Sequence, residues 1–192
     1  MPNESIVENR KFYKRNKILN VIRYNQNVSR YDLKKITSYS MTTILNITEE
    51  LLKEKMIYEE DCNEPRVGRK PSWLRINPTA GYFIGIEFNL NFIHCAMLNF
   101  LGEIAFEYCL KNSKDISSDE IIAHICSLID MAIKSVHGSR IFGIGIGIPG
   151  YFDSDTGVAL EYDRIPTWKN IPIRKIIEDK FGLPCYIDNN VT

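Results

Sequence analysis

Residues 28–60 constrain the fold more than any other part of the chain. Ser29 and Ser40 each precede a run of apolar residues at helical spacing, so each is predicted to cap a helix. A tight turn over residues 38–40 would separate the two helices. The positions predicted to be buried are Leu33 and Ile36 on the first helix, and Ile44, Ile47, Leu51 and Leu52 on the second.

The second of these helices is predicted to have a polar outer surface. Burial of its apolar stripe leaves four residues facing outward near the positive end of the helix dipole: Met41, Thr42, Thr43 and Asn46. Hydroxyl groups suit phosphates and thymine methyls, and the Asn46 amide suits a bidentate contact with adenine. This surface is typical of a recognition helix in a DNA major groove. The two helices alone indicate a plain antiparallel helix pair with a solvated face equally well.

The residues that follow predict a β-hairpin. Met56–Tyr58 and Trp73–Ile76 have strand character, and residues 61–70 between them are polar and rich in turn formers. Helix, helix, hairpin is the order of a winged helix. The residues at the hairpin tip are Arg66, Gly68, Arg69 and Lys70. Cations on such a tip suit phosphates or a narrow minor groove, and an ordinary solvated linker is the alternative.

A further helix is predicted over Arg10–Asn25, before the helix pair. Its predicted buried positions are Tyr13, Ile18, Val21 and Ile22. Its first half is crowded with the cations Arg10, Lys11, Lys14, Arg15 and Lys17. This local excess favours contact with DNA phosphates over a merely solvated face. Met1–Asn9 is expected to form a mobile arm.

Charge divides the chain into two parts. Residues 1–80 hold 15 Lys and Arg against 10 Asp and Glu, whereas residues 81–192 hold 9 against 14. A basic front and an acidic back suit a nucleic-acid reader joined to a part that does not touch nucleic acid. The hydrophobic content of 44% is ample for globular cores.

The cysteines and the N-terminus exclude several classes of protein. The five cysteines are Cys62, Cys95, Cys109, Cys126 and Cys185. None forms a Cys-x-x-Cys pair, which argues against a zinc ribbon and against a secreted disulfide framework, and no metal site is predicted. The N-terminus lacks the apolar core of a signal peptide, and no run approaches the roughly 20 apolar residues of a membrane span. We therefore expect a cytoplasmic protein with no membrane partner.

The character of the sequence changes after Asn77–Pro78, which predicts a first domain over 1–77 and a second over 78–192. The elements predicted in the second domain are strands at Tyr82–Phe88, Phe92–Phe100 and Glu103–Leu110, a helix over Ser118–His137 capped by Ser118, a strand at Ile141–Ile148, a helix over Ile171–Phe181 and a strand at Leu183–Asp188. Three antiparallel strands followed by helix, strand, helix and strand is the order of the first lobe of an actin-like, or ribonuclease-H-like, ATPase fold. The predicted class is α/β plus a winged helix.

Several short motifs occur together along the chain. They are Gly68–Pro71, Leu74–Pro78, Gly81–Tyr82, Ile84–Glu87, Gly145–Gly150 and Trp168–Pro172. In combination they resemble the ROK family, which comprises repressors, open reading frames and sugar kinases. The match is to its repressor branch, such as the xylose repressors, and it extends from about Lys14 to the end of the chain.

The resemblance implies a lobe related to sugar kinases but altered at both catalytic motifs. The family's kinases cradle nucleotide phosphate in an Asp-x-Gly-Gly-Thr turn and use the Asp of an Asn-Asp pair as general base. Here Glu87–Asn91 keeps the acid as Glu87 but lacks the glycines, and Asp188–Asn190 places Asn190 where the base would be. An amide cannot accept that proton at neutral pH. No catalytic residue and no cofactor is therefore predicted.

The resemblance also implies a sugar site. Asn189 and Asn190 would be sugar ligands, and the backbone from Gly147 to Gly150 would line the pocket floor. The alternative is that these residues only form turns at strand ends. Arg164 stands near where the kinases often carry a sugar-contacting Asn. Because of this difference, the resemblance does not define which sugar would bind. Family members continue beyond this point with a second lobe and usually a zinc site, so we expect a truncated chain with weak sugar affinity.

The sequence as a whole predicts a DNA-binding transcriptional regulator that represses carbohydrate-use genes. It would bind a double-stranded operator as a dimer and respond to a sugar effector. Thr42, Thr43 and Asn46 would read bases. The residues expected to position the DNA backbone are Ser40, Lys14, Lys17, Arg30, Arg69 and Lys70. A sugar kinase that phosphorylates a hexose with ATP and a protein-binding module are the alternatives.

Overall fold

The computed structural model describes residues 2–25, 27–61 and 72–190, with side chains from residue 9 onward. The chain divides into two compact units, Met1–Ala80 and Gly81–Thr192. This division lies just after Asn77–Pro78, because Pro78–Ala80 form a short 3-10 helix that ends the first unit. Among the described residues, no helix combines the length and the apolar character that a membrane span requires.

The first unit contains three helices followed by a two-stranded antiparallel sheet. Its elements are α1 (Pro2–Tyr24), α2 (Arg30–Thr37), α3 (Met41–Lys53), β1 (Ile57–Asp61) and β2 (Ser72–Ile76). This order is the predicted one. The mobile arm predicted for the N-terminus is wrong, since residues 2–9 belong to α1. No glycine and, after Pro2, no proline occurs in this stretch to interrupt a helix.

Both predicted helix caps of the first unit are confirmed. The Ser29 hydroxyl accepts the amide of Asp32, whose carboxylate accepts the Ser29 amide in return. The Ser29 hydroxyl also donates to the Asp32 carboxylate at 2.6 Å, and this hydrogen bond, together with that from the Ser29 amide, holds the pKa of Asp32 below its ordinary value. The Ser40 hydroxyl accepts the amide of Thr43 at 3.2 Å. Between the two helices Ser38 adopts a left-handed conformation, with φ of 61°, which turns the chain within the three residues between α2 and α3.

In the first unit, two of the residues predicted to be buried are exposed and two are only half-buried. The residues that form the core of this unit are Ile18, Ile22, Val28, Leu33, Ile44, Ile47, Leu51, Ile57, Leu74 and Ile76. Ile36 is exposed, because the buried face of α2 instead carries Leu33 and Thr37, and the Thr37 hydroxyl donates to the Leu33 carbonyl at 2.7 Å. Tyr13 is also exposed, since five residues of helix place it about 140° around α1 from Ile18. Val21 and Leu52 are only half-buried.

The second unit is an α/β unit around a five-stranded mixed sheet. Its elements are β3 (Tyr82–Phe88), β4 (Phe92–Asn99), β5 (Ile104–Lys111), α4 (Ser118–Ser135), β6 (Ile141–Ile148), β7 (Tyr151–Asp153), β8 (Val158–Glu161), β9 (Lys169–Ile171), α5 (Ile173–Phe181) and β10 (Cys185–Asn189). The strand order of the large sheet is β10-β6-β3-β4-β5. The pairs β3–β4 and β4–β5 are antiparallel, whereas β6 runs parallel to both β3 and β10. The carboxyl ends of β3, β6 and β10 therefore share one edge of the sheet.

The core of this unit is formed by one face of the sheet with buried residues of α4 and α5. Alternate residues of β3 and β4 are buried there, and α4 contributes a stripe at helical spacing. Trp168 is completely buried, and its ring lies 4.8 Å from that of Phe88. Burial raises the pKa of Cys95 to about 12 and that of Cys185 to about 11, so both thiols stay protonated and serve as packing groups.

A small antiparallel sheet in the connection from β6 to β10 was not predicted. It contains β7, β8 and β9, each three or four residues long, which is too short for an alternating pattern to be visible. Ile171 belongs to β9, where it pairs with Ala159. Helix α5 therefore begins two residues later than predicted, at Ile173.

Ser117, not the predicted Ser118, caps α4. The Ser117 hydroxyl accepts the amide of Glu120 at 3.3 Å, and the Glu120 carboxylate accepts the Ser117 amide at 2.9 Å. The backbone and side-chain hydrogen bonds from Ser117 hold the pKa of Glu120 below its ordinary value. Ser118 is instead the first helical residue, and its amide donates to the hydroxyl of Thr167.

We expect Ser117→Ala to lower the free energy of unfolding by about 1 kcal/mol, because an orphan amide of the first turn loses its acceptor. Ser118→Ala is the matched control and should cost less. Urea denaturation followed by circular dichroism measures both. The carboxylate of Glu120, with its lowered pKa, stabilises the fold at neutral pH and loses this effect as pH falls through that pKa, so the difference between wild type and Ser117→Ala should narrow in acid. Equal losses in the two variants would contradict the assignment of the cap.

Candidate functional site

The outer surface of α3 carries the residues predicted to face outward. Thr42 and Asn46 are exposed, and Met41 and Thr43 are half-buried at the start of the helix. Ser40 is exposed and shares a hydrogen bond of 2.9 Å with the Thr43 hydroxyl. Leu45 is also exposed on this helix, and the sequence prediction did not include it. The surface therefore combines hydroxyl, amide and apolar groups around the N-terminal half of α3.

A depression of ≈ 460 Å³ lies between α1 and this surface. The residues that line it are Arg10, Lys11, Lys14, Thr43, Asn46, Ile47 and Glu50. Lys14 therefore borders the same depression as Thr43 and Asn46. The structure thus brings together a cation predicted to contact phosphate and two residues predicted to read bases.

Two of the α1 cations form ion pairs with carboxylates of the same unit. Lys11 lies 2.8 Å from Glu50, and Arg15 makes two hydrogen bonds, of 2.7 and 2.5 Å, with the carboxylate of Glu54 just after α3. The hydrogen bond with Glu54 raises the pKa of Arg15 above its ordinary value. These pairs join α1 to α3, and a phosphate would have to compete with the two carboxylates for these cations.

Lys14 and Lys17 have a different environment. Their ammonium groups lie 5.7 and 5.4 Å from the ring centroid of Tyr39, within the range of a cation–π interaction. Among the described residues, no carboxylate forms an ion pair with Arg10, Lys14 or Lys17. Tyr39 was not predicted as a site residue, although its position in the turn just before Ser40 was a signal that it lies beside the start of α3.

The remaining residues predicted to contact phosphate are Arg30, Arg69 and Lys70, and the structure describes only Arg30. The Arg30 guanidinium forms an ion pair with Glu59 of β1, and its Nε donates to the Thr48 hydroxyl at 3.1 Å. A phosphate would have to compete with these partners, so Arg30 is engaged within the protein rather than available. Arg69 and Lys70, together with the rest of the hairpin tip, lie outside the described residues.

The four residues predicted to bind sugar meet at the carboxyl edge of β3, β6 and β10. The Asn189 side-chain amide donates to the carbonyl of Gly150 at 3.0 Å. The Asn190 backbone amide donates to Ile148, and its side-chain amide donates to the carbonyl of Phe88 at 2.9 Å. Ligands of open α/β sheets bind at this edge, beyond the carboxyl ends of parallel strands.

Packing within the unit accounts for both glycines without a ligand. Gly150 has φ of +83°, and a Cβ there would lie 2.2 Å from the carbonyl oxygen of Glu161. A Cβ on Gly147 would lie 3.1 Å from the Cβ of Asn190. The space at Gly147 is therefore used by Asn190. The Oδ1 atom of Asn190 is buried and has no hydrogen-bond partner among the described residues, so it is an unused acceptor at this edge.

The turn between β3 and β4 uses its own backbone amides. Asn89 Oδ1 accepts the amides of Asn91 at 2.8 Å and Phe92 at 3.1 Å, and the Asn112 side chain donates to the Asn89 carbonyl. These amides are therefore not free to cradle a phosphate. Glu87 is exposed on β3 beside Gly147 of the neighbouring strand. Arg164 is exposed in the connection between β8 and β9.

We expect Gly150→Ala to lower the free energy of unfolding by more than about 3 kcal/mol, because it combines a left-handed backbone with a clash against a carbonyl. Gly138→Ala is the matched control. Gly138 has φ of +80°, but a Cβ there would meet nothing within 4 Å among the described residues, so this variant should cost about 1 kcal/mol. Urea denaturation of the two variants measures the difference. Equal costs would show that backbone conformation alone requires glycine at residue 150.

Comparison with known proteins defines the class of this chain. Residues 83–192 match the model of the ROK family, which is more than half of the chain. The chain therefore belongs to the ROK family, and the resemblance seen in the sequence is confirmed. The matched region is the second unit, which holds the sheet edge described above.

Individual relatives extend the comparison to the first unit. The xylose repressor of Caldicellulosiruptor bescii is 33% identical over 174 residues, which cover 90% of this chain and 43% of that protein. The glucokinase of Halalkalibacterium halodurans is 27% identical over 111 residues, 57% of this chain and 33% of the kinase. A solved structure of a ROK family transcriptional regulator, a homologue of the Escherichia coli MLC protein, has a TM-score of 0.72 and 23% identity over 94% of this chain and 46% of that one, so the fold is shared. The chain spans less than half the length of these proteins.

Proposed function

We propose that this chain is a DNA-binding transcriptional regulator that represses genes for the use of xylose or another sugar. The observation that carries this proposal is how much of this chain aligns with each of its relatives. The xylose repressor aligns with 90% of the chain and so includes most of the first unit, whereas the glucokinase aligns with 57%. A part shared with a repressor but not with a kinase is expected to supply DNA binding.

The first unit acts in this proposal as a winged helix-turn-helix. Three helices and an antiparallel hairpin, with capped α2 and α3 joined by a three-residue turn, support it. Helix α3 enters the major groove, where Thr42, Thr43 and Asn46 contact base edges beside Met41. Ser40, Lys14 and Lys17 contact the DNA backbone around the start of α3. Arg69 and Lys70 contact phosphates from the hairpin tip.

The second unit acts as a sensor without catalysis. The unpartnered Oδ1 of Asn190 can accept a hydrogen bond from a sugar hydroxyl, and Asn189 lies beside it at the same edge. Binding through this lobe alone is weak, because a complete sugar cleft needs walls on more than one side. The regulator works in the cytoplasm as a dimer, which matches two half-sites of an operator.

Sugar kinase activity is the alternative, and two observations oppose it. Asn190 offers an amide where a kinase needs a carboxylate base, and Asn89 already occupies the amides of the turn that would cradle phosphate. We expect no phosphorylation above background when the protein is incubated with ATP, Mg²⁺ and a panel of hexoses. Turnover that depends on both ATP and one hexose would establish the kinase instead.

We expect Asn46→Ala to lose about 1–3 kcal/mol of binding free energy at one base pair, because the bidentate amide contact with adenine is lost. Lys70→Ala should instead weaken binding to all sequences similarly and reduce the salt dependence, because it removes one phosphate contact. Gel-shift titrations on the operator and on its single-base variants measure both effects.

Lys53→Ala is the matched control for these variants. Lys53 is exposed in the last turn of α3, far from the N-terminal half that would contact bases, so its loss should change neither sequence preference nor the salt slope by much. An Asn46→Ala variant with unchanged sequence preference would contradict the assignment of Asn46. A wild-type protein with no salt-dependent affinity for any duplex would favour a protein-binding module.

A further inference from the structure

The cations of α1 fall into two groups that the sequence alone does not distinguish. Lys11 and Arg15 have carboxylate partners in the same unit. Lys14 and Lys17 lie three residues apart, so they share one face of the helix. No carboxylate among the described residues pairs with either of them. This face therefore carries positive charge that no described carboxylate pairs with.

Both lysines lie over the ring of the same residue, Tyr39. Both ammonium groups lie within 6 Å of the centroid of its half-buried ring, at 5.7 and 5.4 Å. The negative face of an aromatic ring attracts a cation, which offsets part of the repulsion between the two like charges around this ring. The repulsion that remains is relieved when an anion binds between or beside them. Two ammonium groups around one ring, with no ion-paired acid in the part of the chain that the structure describes, form an incomplete anion site.

The ring is held in place by the turn between α2 and α3. The Tyr39 amide donates to the Thr37 hydroxyl at 3.3 Å, and the neighbouring Ser38 has a left-handed backbone that fixes the direction of the chain. Ser40, the next residue, caps α3. Tyr39 therefore stands at a defined position directly before the helix that carries the proposed base-reading residues.

Two depressions meet at Lys14. One has a volume of ≈ 570 Å³, which is ample for a phosphate group. The residues that line it are Asn9, Arg10, Tyr13, Lys14 and Tyr39. The other is the ≈ 460 Å³ depression that Lys14 shares with Thr43 and Asn46. A molecule that fills both would present an anionic group to Lys14 beside Tyr39 and another group to α3, as the backbone and bases of a duplex do.

We propose that Lys14, Lys17 and Tyr39 form a clamp for one phosphodiester of the DNA backbone. Tyr39 is the positioning residue, because it acts by holding the two ammonium groups together beside the start of α3. The clamp rests on the proposed function, since its occupant is part of the duplex that α3 reads. A backbone phosphate fits better than a free phosphate ion, because Lys14 borders the base-reading depression as well.

The salt dependence of duplex binding tests the clamp. Each phosphate contact contributes about 0.9 to the slope of log Kobs against log salt concentration. The full chain is titrated against a fluorescein-labelled mixed-sequence duplex of about 30 base pairs at several KCl concentrations. Tyr39→Leu should reduce the slope by about 0.9, so that affinity falls about 3-fold less than in wild type between about 50 and about 200 mM salt. Tyr39→Phe keeps the ring and should retain the wild-type slope.

Three further variants separate positioning from folding. Tyr24→Leu is the matched control, because Tyr24 is 79% exposed on the helix that carries the two lysines and should leave the slope unchanged. Lys14→Gln with Lys17→Gln leaves Tyr39 in place and should reduce the slope by itself. Adding Tyr39→Leu to that double variant should cause no further change, because the ring acts only through the two lysines. Thermal unfolding of each variant checks that the first unit remains folded.

The outcomes distinguish the clamp from the proposed function. A wild-type protein whose duplex affinity does not depend on salt would overturn both. Salt-dependent binding with unchanged slopes in Tyr39→Leu and in the double lysine variant would overturn the clamp and leave DNA binding standing. Perturbation of Tyr39 by inorganic phosphate in NMR spectra, together with unchanged duplex slopes, would mean a site for a free anion and would also overturn the clamp.

Discussion

The ion pairs that join α1 to α3 decide which cations of the first unit remain available to a partner. Lys11 and Arg15 are neutralised by Glu50 and Glu54, which lie near the end of the helix proposed to read DNA and just after it. Lys14 is left beside the surface proposed to read bases, without an acid partner among the described residues. Exposed ion pairs contribute little stability, so their main consequence here is the arrangement of charge.

A different constraint shapes the second unit: at one edge of its sheet the backbone segments pack closely together. Gly147 leaves the space that Asn190 fills, and Gly150 lets the chain pass the carbonyl of Glu161. The Asn190 side chain is then anchored on Phe88 with its acceptor oxygen unused. The two side chains proposed to bind sugar at this edge, Asn189 and Asn190, are thus amides, which can hydrogen-bond hydroxyl groups but cannot take up a proton. This chemistry suits the recognition of a sugar better than its phosphorylation.

Local rules predicted much of the fold, and their failures have identifiable causes. The caps Ser29 and Ser40 were predictable, because capping needs only a hydroxyl and an amide a few residues apart. The alternation in β3 and β4 was also visible, since half of each strand faces the core. Ile36 was misplaced because an apolar side chain does not reveal which face of a short helix is buried. The small sheet of β7–β9 was missed because its strands are too short for a periodic pattern.

The sequence by itself determined the order of the elements, the family motifs and the amide at residue 190, because these depend on residue types at short spacing. Only the tertiary structure decided which cations are paired, since Lys11 and Lys14 look alike in the sequence and differ only by what lies across from them. It also decided that Asn189 and Asn190 meet Gly150 and Phe88, which lie far away along the chain. Side-chain partners are set by how distant segments pack, and that information is not local.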